Sequence, residues 1–257
     1  MTLSKVTAAD LRSMKKRGQK IASLTTYDYA MTRLLDEADI PFLLVGDSLG
    51  MVVLGYPDTT CVSMDEMEHH VRAAARAKPR ALLGADLPYQ SYRTVDETLR
   101  NAKRLIAAGA EVVKAEGGSS ILPQVKAILA EGIPFIGHLG MLPQSVREEG
   151  GYKIKGKSDA ERDALLADAV ALDQAGVSAI VLELVTPPVA KEISGRIQAP
   201  TIGIGSGPDC DGQILVTQDL IGTFPWFTPR FVKPRLSTAA QIRVAVGNWK
   251  QELERSH

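Results

Sequence analysis

The stretch Pro41-Phe42-Leu43-Leu44-Val45-Gly46-Asp47-Ser48-Leu49-Gly50 decides how the rest of the chain reads. Its first half is apolar, β-rich and short enough to be a buried strand. Where that strand should stop, a carboxylate and a hydroxyl arrive together, followed by glycine. The same event recurs downstream. ALLGADLP (81–88) reaches Asp86, EVVKAEGG (111–118) carries Lys114 and Glu116, and AIVLELV (179–185) carries Glu183. Buried strands that repeatedly finish in acid describe a parallel α/β protein with its active site at the strand C-termini.

Working outward, the apolar runs predict strands over 21–26, 42–46, 81–85, 111–115, 134–137, 179–182, 201–204 and 230–233, with helices between them. No linker or composition break interrupts the alternation. The chain has 257 residues, close to the ~250 of a typical (β/α)8 barrel. The expectation is therefore one α/β domain, a (β/α)8 TIM barrel spanning 1–257. A short helix with Thr7 as its cap precedes the first strand and should cover the barrel bottom. An open doubly wound sheet is the rival, but no strand–GxGxxG–helix unit lies near the N-terminus. Two connections are unusually long, 49–63 and 139–158, and connections of that length are often functional. The second contains Gly150, Gly151 and Gly156 among charged residues, which suits a lid over the strand ends.

Composition narrows the function classes. The 30 basic and 30 acidic residues balance, so the electrostatic footprint of a nucleic-acid binder is missing. Cys61 and Cys210 stand far apart, outside metal-type spacing, and read as free thiols. MTLSKVTAADLRSMKKRG (1–18) lacks the apolar core of a secretory signal, and no run reaches membrane-span length. A cytoplasmic protein with no membrane partner is expected.

If the strands are parallel, Asp47, Asp86 and Glu116 share one rim. Two carboxylates ~4 Å apart repel by roughly 4 kcal/mol at an effective dielectric near 20. Three require a proton or a hard divalent cation among them, and oxygen-only ligands favour Mg2+. Each acid could instead cap the helix after its strand. Three in consecutive units favour the metal. Lys114 lies two residues before Glu116 and should face the same way, toward these acids or a substrate carboxylate. A Schiff-base lysine is the alternative. Ser48 could donate to a bound oxyanion or cap a turn. Glu183 comes from the far side of the barrel and suits a general base, or else pairs with a loop lysine such as Lys153. His138 could hydrogen-bond substrate or be structural. His69 and His70 are adjacent on a predicted helix and read as surface or packing residues. The glycine-rich run 203–207 suits phosphate or a close substrate approach.

The ordered set LTTYD (24–28), VGDSLGMVVLGY (45–56), GADLPY (84–89), VKAEGG (113–118), GHLGMLPQ (137–144) and GIGSGPDCDGQILV (203–216) resembles the ketopantoate hydroxymethyltransferase family. The resemblance runs from about residue 4 to 235. It implies a (β/α)8 barrel that transfers a hydroxymethyl group from 5,10-methylenetetrahydrofolate to 3-methyl-2-oxobutanoate, giving 2-dehydropantoate for pantothenate synthesis. It also implies that Asp47, Asp86 and Glu116 hold one Mg2+ per subunit, with the first two close to the keto acid. Ser48 and Lys114 match substrate-binding residues, Glu183 matches the proton acceptor, and the family assembles as a homodecamer. Ser206 departs from the pattern, which more often has alanine there. The alternative is a Mg2+-dependent 2-oxo acid lyase of the phosphoenolpyruvate/isocitrate-lyase type. A catalytically silent scaffold on the same barrel is a third reading.

Overall fold

Seven of the expected apolar runs fold as strands: β1 Ile21–Thr25, β2 Phe42–Val45, β3 Leu82–Asp86, β4 Val112–Glu116, β5 Phe135–Gly140, β6 Ala179–Glu183 and β7 Thr201–Ile204. The computed structural model describes residues 4–256. The eighth strand, β8, is Gly212–Leu215, and the eight close into a barrel in sequence order. From β1 to β8 each strand pairs in parallel with the next. The fold is a (β/α)8 TIM barrel.

The placement of strand eight at 230–233 is therefore corrected. Phe231 and Val232 look strand-like, but Pro229 and Pro234 flank them, and proline cannot donate to a ladder. In β8 only Gly212 and Ile214 are buried, and Gln213 is exposed, so no apolar run announces it. Gly212 is there for space: a Cβ would press into the backbone carbonyl of Ile21.

Helices separate the strands from β1 to β7, and a loop joins β7 to β8. The helices are α1 Ala8–Lys16, α2 Tyr29–Glu37, the single turn α3 Leu49–Val52, α4 Met64–Ala75, α5 Val95–Ala108 and α6 Leu122–Ala130. Beyond β5 come the short α7 Val146–Glu149, the long α8 Asp159–Ala175 and α9 Pro187–Arg196. The starts of α5 and α8 carry side-chain caps. Thr94 Oγ1 accepts from Glu97 N at 3.2 Å, and Ser158 Oγ accepts from Glu161 N at 3.3 Å. Each satisfies one of the donors that a helix start leaves unpaired.

The barrel interior is apolar at its lower end. Phe42, Leu44, Leu82, Val112, Ile136, Ala179, Val181, Ile202 and Ile214 form one buried cluster with Leu11 and Met14 of α1. The N-terminal helix thus plugs the barrel bottom, as its sequence position implied. Thr7 fixes its start, with N and Oγ1 both donating to Asp10 Oδ2.

The chain divides into two compact units, one running to Ile214 and the other from Leu215 onward. The second contains α10 Thr217–Ile221 and α11 Thr238–Arg255. No residue of α11 is buried. Ile242, Val246, Trp249 and Leu253 lie exposed along it, on one stripe by helical spacing. Among the described residues, no helix is long and apolar enough to cross a membrane.

Candidate active site

Side-chain alternation along a strand carries the interior row upward from the apolar cluster. In β4, Val112 belongs to the cluster, so Lys114 and Glu116 continue the same face. In β3 the row runs from Leu82 to Asp86, in β5 from Ile136 to His138, and in β6 from Ala179 and Val181 to Glu183. One row is apolar below and ionic at the C-terminal end. Strand register makes neighbours of these groups: Asp86 pairs with Lys114, and Glu116 with His138.

Asp47, Asp86, Lys114, Glu116 and His138 are all buried, and Glu183 is mostly so. Lys114 Nζ lies 2.7 Å from Asp86 Oδ1 and 3.4 Å from His138 Nδ1. Asp86 Oδ1 makes no well-directed hydrogen bond, so its link to Lys114 is an ion pair. Asp86 Oδ2 accepts from the backbone N of Asp47 at 3.1 Å, tying β3 to the turn after β2. His138 Nε2 lies 3.4 Å from Glu183 Oε2, and its Nδ1 lies 3.6 Å from Glu116 Oε1. Ser48 Oγ is 2.9 Å from the Tyr27 hydroxyl at the end of β1. All the acids singled out in the sequence, with Lys114, Ser48 and His138, therefore gather at one rim.

Glu183 rides on an unusual piece of backbone. Leu184 has φ +48°, a left-handed conformation that a leucine rarely adopts. Ser206 clasps this kink. Its hydroxyl donates to Leu182 O at 2.7 Å and accepts from Val185 N at 3.0 Å. The glycine-rich run after β7 thus braces the strand that carries Glu183. Gly140 lies opposite Glu183 in register, where a Cβ would press into the Glu183 carbonyl oxygen. Among the described residues Glu183 makes no ion pair with Lys153. His70 is not a free surface group, since its Nδ1 lies 2.7 Å from Tyr27 O.

Two residues absent from the sequence-based site complete it. Gln144 is buried. Its Nε2 donates to Asp47 Oδ2 at 2.8 Å and its backbone N to Glu116 Oε2 at 2.9 Å. The Tyr92 hydroxyl donates to Gln144 Oε1 at 2.6 Å. Neither lies at a strand end, so the pattern of acids that exposed the others could not expose these. The GHLGMLPQ motif contained Gln144 without distinguishing it.

The segment after Gln144 is fastened at two further places. Arg147 of α7 grips both oxygens of Asp58, at 2.8 and 3.2 Å, joining the two long connections. Lys155 N donates to Leu184 O at 2.8 Å, and Thr186 N donates to Lys155 O at 2.9 Å.

The sequence matches the family described as ketopantoate hydroxymethyltransferase over residues 5–257. A 3-methyl-2-oxobutanoate hydroxymethyltransferase of Moorella thermoacetica is 50% identical over 252 residues, covering 97% of this chain and 94% of that one. The chain belongs to the ketopantoate hydroxymethyltransferase family. Among solved structures, phosphonopyruvate hydrolase in complex with oxalate and Mg++ aligns with a TM-score of 0.63 at 15% identity, over 98% of this chain and 87% of that one. A 2,3-dimethylmalate lyase of the PEP mutase/isocitrate lyase superfamily aligns at 0.60 and 15%, over 97% and 88%. At such identity these two share the barrel fold with the hydroxymethyltransferase family, and the chain's own relatives are transferases.

Membership of the ketopantoate hydroxymethyltransferase family is consistent with a divalent metal, and the electrostatics of the rim can be tested against one. Four carboxylates face a single lysine. Burial, then Asp86, pushes Asp47 up to about 7. Burial, then Asp47, raises Glu116 well above the carboxylate range. Burial lifts Glu183 to about 8 although Lys114 opposes it. Burial and Lys114 hold His138 well below its usual value, so its imidazole is neutral. Burial works against the charge of Lys114, but Asp86, Glu116 and Asp47 outweigh it and raise the lysine above its ordinary value. The rim thus lacks positive charge, and its donors are oxygen atoms suited to a hard cation. Among the described residues no three His, Cys, Asp or Glu side chains form a ready-made metal cluster. Asp47 and Glu116 are each held through one oxygen by Gln144, and Asp86 by Lys114. The donor set, oxygen atoms with an excess of carboxylates over positive charge, suits a divalent cation in charge and chemistry.

Proposed function

We propose that this rim transfers a hydroxymethyl group from 5,10-methylenetetrahydrofolate to 3-methyl-2-oxobutanoate, giving 2-dehydropantoate for pantothenate and coenzyme A synthesis in the cytoplasm. The observation that carries the reading is Glu183, a carboxylate raised to about 8. It stands across the mouth from a cluster of acids and one lysine.

Abstraction of the C3 proton is the difficult step, because that carbon is far less acidic than a carboxylic acid. A carboxylate with a raised pKa is a stronger base than an ordinary one, and its ionised fraction grows as pH rises toward about 8. Glu183 takes the C3 proton, and His138, neutral beside it, stays available as a hydrogen-bond partner without competing for that proton. Lys114 and Ser48 hold the keto acid's carboxylate. Asp47, Asp86 and Glu116 would hold one Mg2+ per subunit, which when bound would supply several kcal/mol of stabilisation to negative charge on the ketone oxygen. The C3 carbon then bonds to the folate's methylene carbon, tetrahydrofolate leaves, and water provides the hydroxyl. The 139–158 segment keeps bulk water from quenching the carbanion.

Phosphonopyruvate hydrolase, which shares the fold, was crystallised with oxalate and Mg++. Oxalate presents adjacent oxygens like those of a 2-oxo acid, which supports the keto-acid reading. The resemblance also implies a homodecamer, and the exposed apolar stripe of α11 supports burial against other copies. Turnover of 3-methyl-2-oxobutanoate with and without methylenetetrahydrofolate and Mg2+ tests the proposal. Product formation should need both. Cleavage of the keto acid without folate would point to a lyase instead.

A further inference from the structure

Gln144 stands between two acids that repel one another, and it engages both. Its side-chain amide occupies Asp47 Oδ2, and its backbone N–H occupies Glu116 Oε2. Nε2 has a second acceptor in Leu87 O at 3.0 Å. Oε1 receives the Tyr92 hydroxyl, and the same hydroxyl lies 3.4 Å from Glu116 O. Both amide hydrogens and one oxygen lone pair are therefore committed. With Nε2 toward a carboxylate and a carbonyl, the amide has one workable orientation, and Tyr92 fixes it.

A carboxylate has two oxygens and about four lone-pair sites. By claiming one oxygen of Asp47 and one of Glu116, Gln144 decides which oxygen each acid presents to the centre of the rim. Neither acid can turn without breaking a hydrogen bond to a buried partner. We infer that Gln144, oriented by Tyr92, is the positioning residue of the cation centre: it sets the geometry and hence the affinity of the Asp47–Glu116 pair without touching the cation. The inference rests on the reading of these acids as a divalent-cation site. It adds a link between that site and the 139–158 segment, because Gln144 lies within the segment, two residues before α7.

The test is titration calorimetry of the full chain, stripped of metal, with MgCl2 and MnCl2, alongside its thermal melting without metal. Gln144→Met keeps length and volume but removes the side-chain contacts to Asp47, Leu87 and Tyr92, leaving the backbone hydrogen bond to Glu116 in place. It should melt cooperatively while its affinity for the cations falls roughly 10- to 100-fold, the usual effect of losing a partner behind a metal ligand. Tyr92→Phe should lower affinity by less, and adding it to Gln144→Met should change nothing more. A folded Gln144→Met protein with parental affinity overturns the inference. If that variant does not fold, Tyr92→Phe decides: reduced affinity supports the inference and parental affinity overturns it. The parental chain separates the two levels. If it binds neither cation, the metal-centre reading fails and takes this inference with it. If it binds and the variants bind equally well, only the role of Gln144 falls.

Discussion

Lys114 Nζ and Asp86 Oδ1 face each other at 2.7 Å, in register on adjacent strands, with side-chain exposures of only 5% and 4%. Removing one partner of a buried pair leaves the other as an uncompensated charge, which costs about 3–5 kcal/mol. Lys114→Met should therefore lose activity and also show that scale of destabilisation in urea unfolding. A stability within about 1 kcal/mol of the parent would mean that solvent or another cation already compensates Asp86.

Glu183→Gln keeps the shape of the side chain and removes its basicity. Hydrogen–deuterium exchange at C3 of the keto acid, followed by NMR, should stop while the keto acid still binds. Exchange near the parental rate would move the proton acceptor elsewhere on the rim.

The raised value of Glu183 also makes a stability prediction. The folded carboxyl keeps its proton up to about 8, whereas in the unfolded chain it loses it near the ordinary value of about 4.3. Between those limits the folded state binds more protons, so stability falls as pH rises. For metal-free protein the melting temperature should decline from about pH 5 to pH 8, and less steeply in Glu183→Gln. Identical slopes for the two proteins would show that Glu183 does not titrate there. The C3 exchange rate should move the opposite way, rising with pH as the base ionises.

Arg147 is more than half exposed, so its grip on Asp58 is worth at most about 1 kcal/mol to the fold. Its effect should be local. Arg147→Ala should leave the melting temperature nearly unchanged while hydrogen exchange across 146–158 speeds up. Unchanged protection of that segment would show that the Lys155–Leu184 and Thr186–Lys155 hydrogen bonds suffice to hold it.

Seven strands were legible because each is a short, largely apolar run, most of them cut off by glycine or acid. β8 escaped because Gly212 and Gln213 give it no such run, and its place is set by contact with Ile21, a residue nearly two hundred positions earlier. Asp86, Glu116 and Glu183 were legible because alternation carries the interior row directly into them, and Asp47 because it follows the apolar run of β2. Gln144 and Tyr92 reach the site from connections whose paths depend on tertiary contacts. No local spacing marks such residues, although one of them stood inside a motif that was read.

Leu184 carries its strain beside Glu183, the proposed proton acceptor. A left-handed leucine costs roughly 1–2 kcal/mol relative to its relaxed form, so this stretch of backbone is cocked rather than at rest. Glycine there would ease the conformation and loosen the aim of Glu183 in the same stroke. Attempts to make the enzyme hardier against heat would find an inviting target at this position, and the gain would be drawn from the accuracy with which a proton is taken.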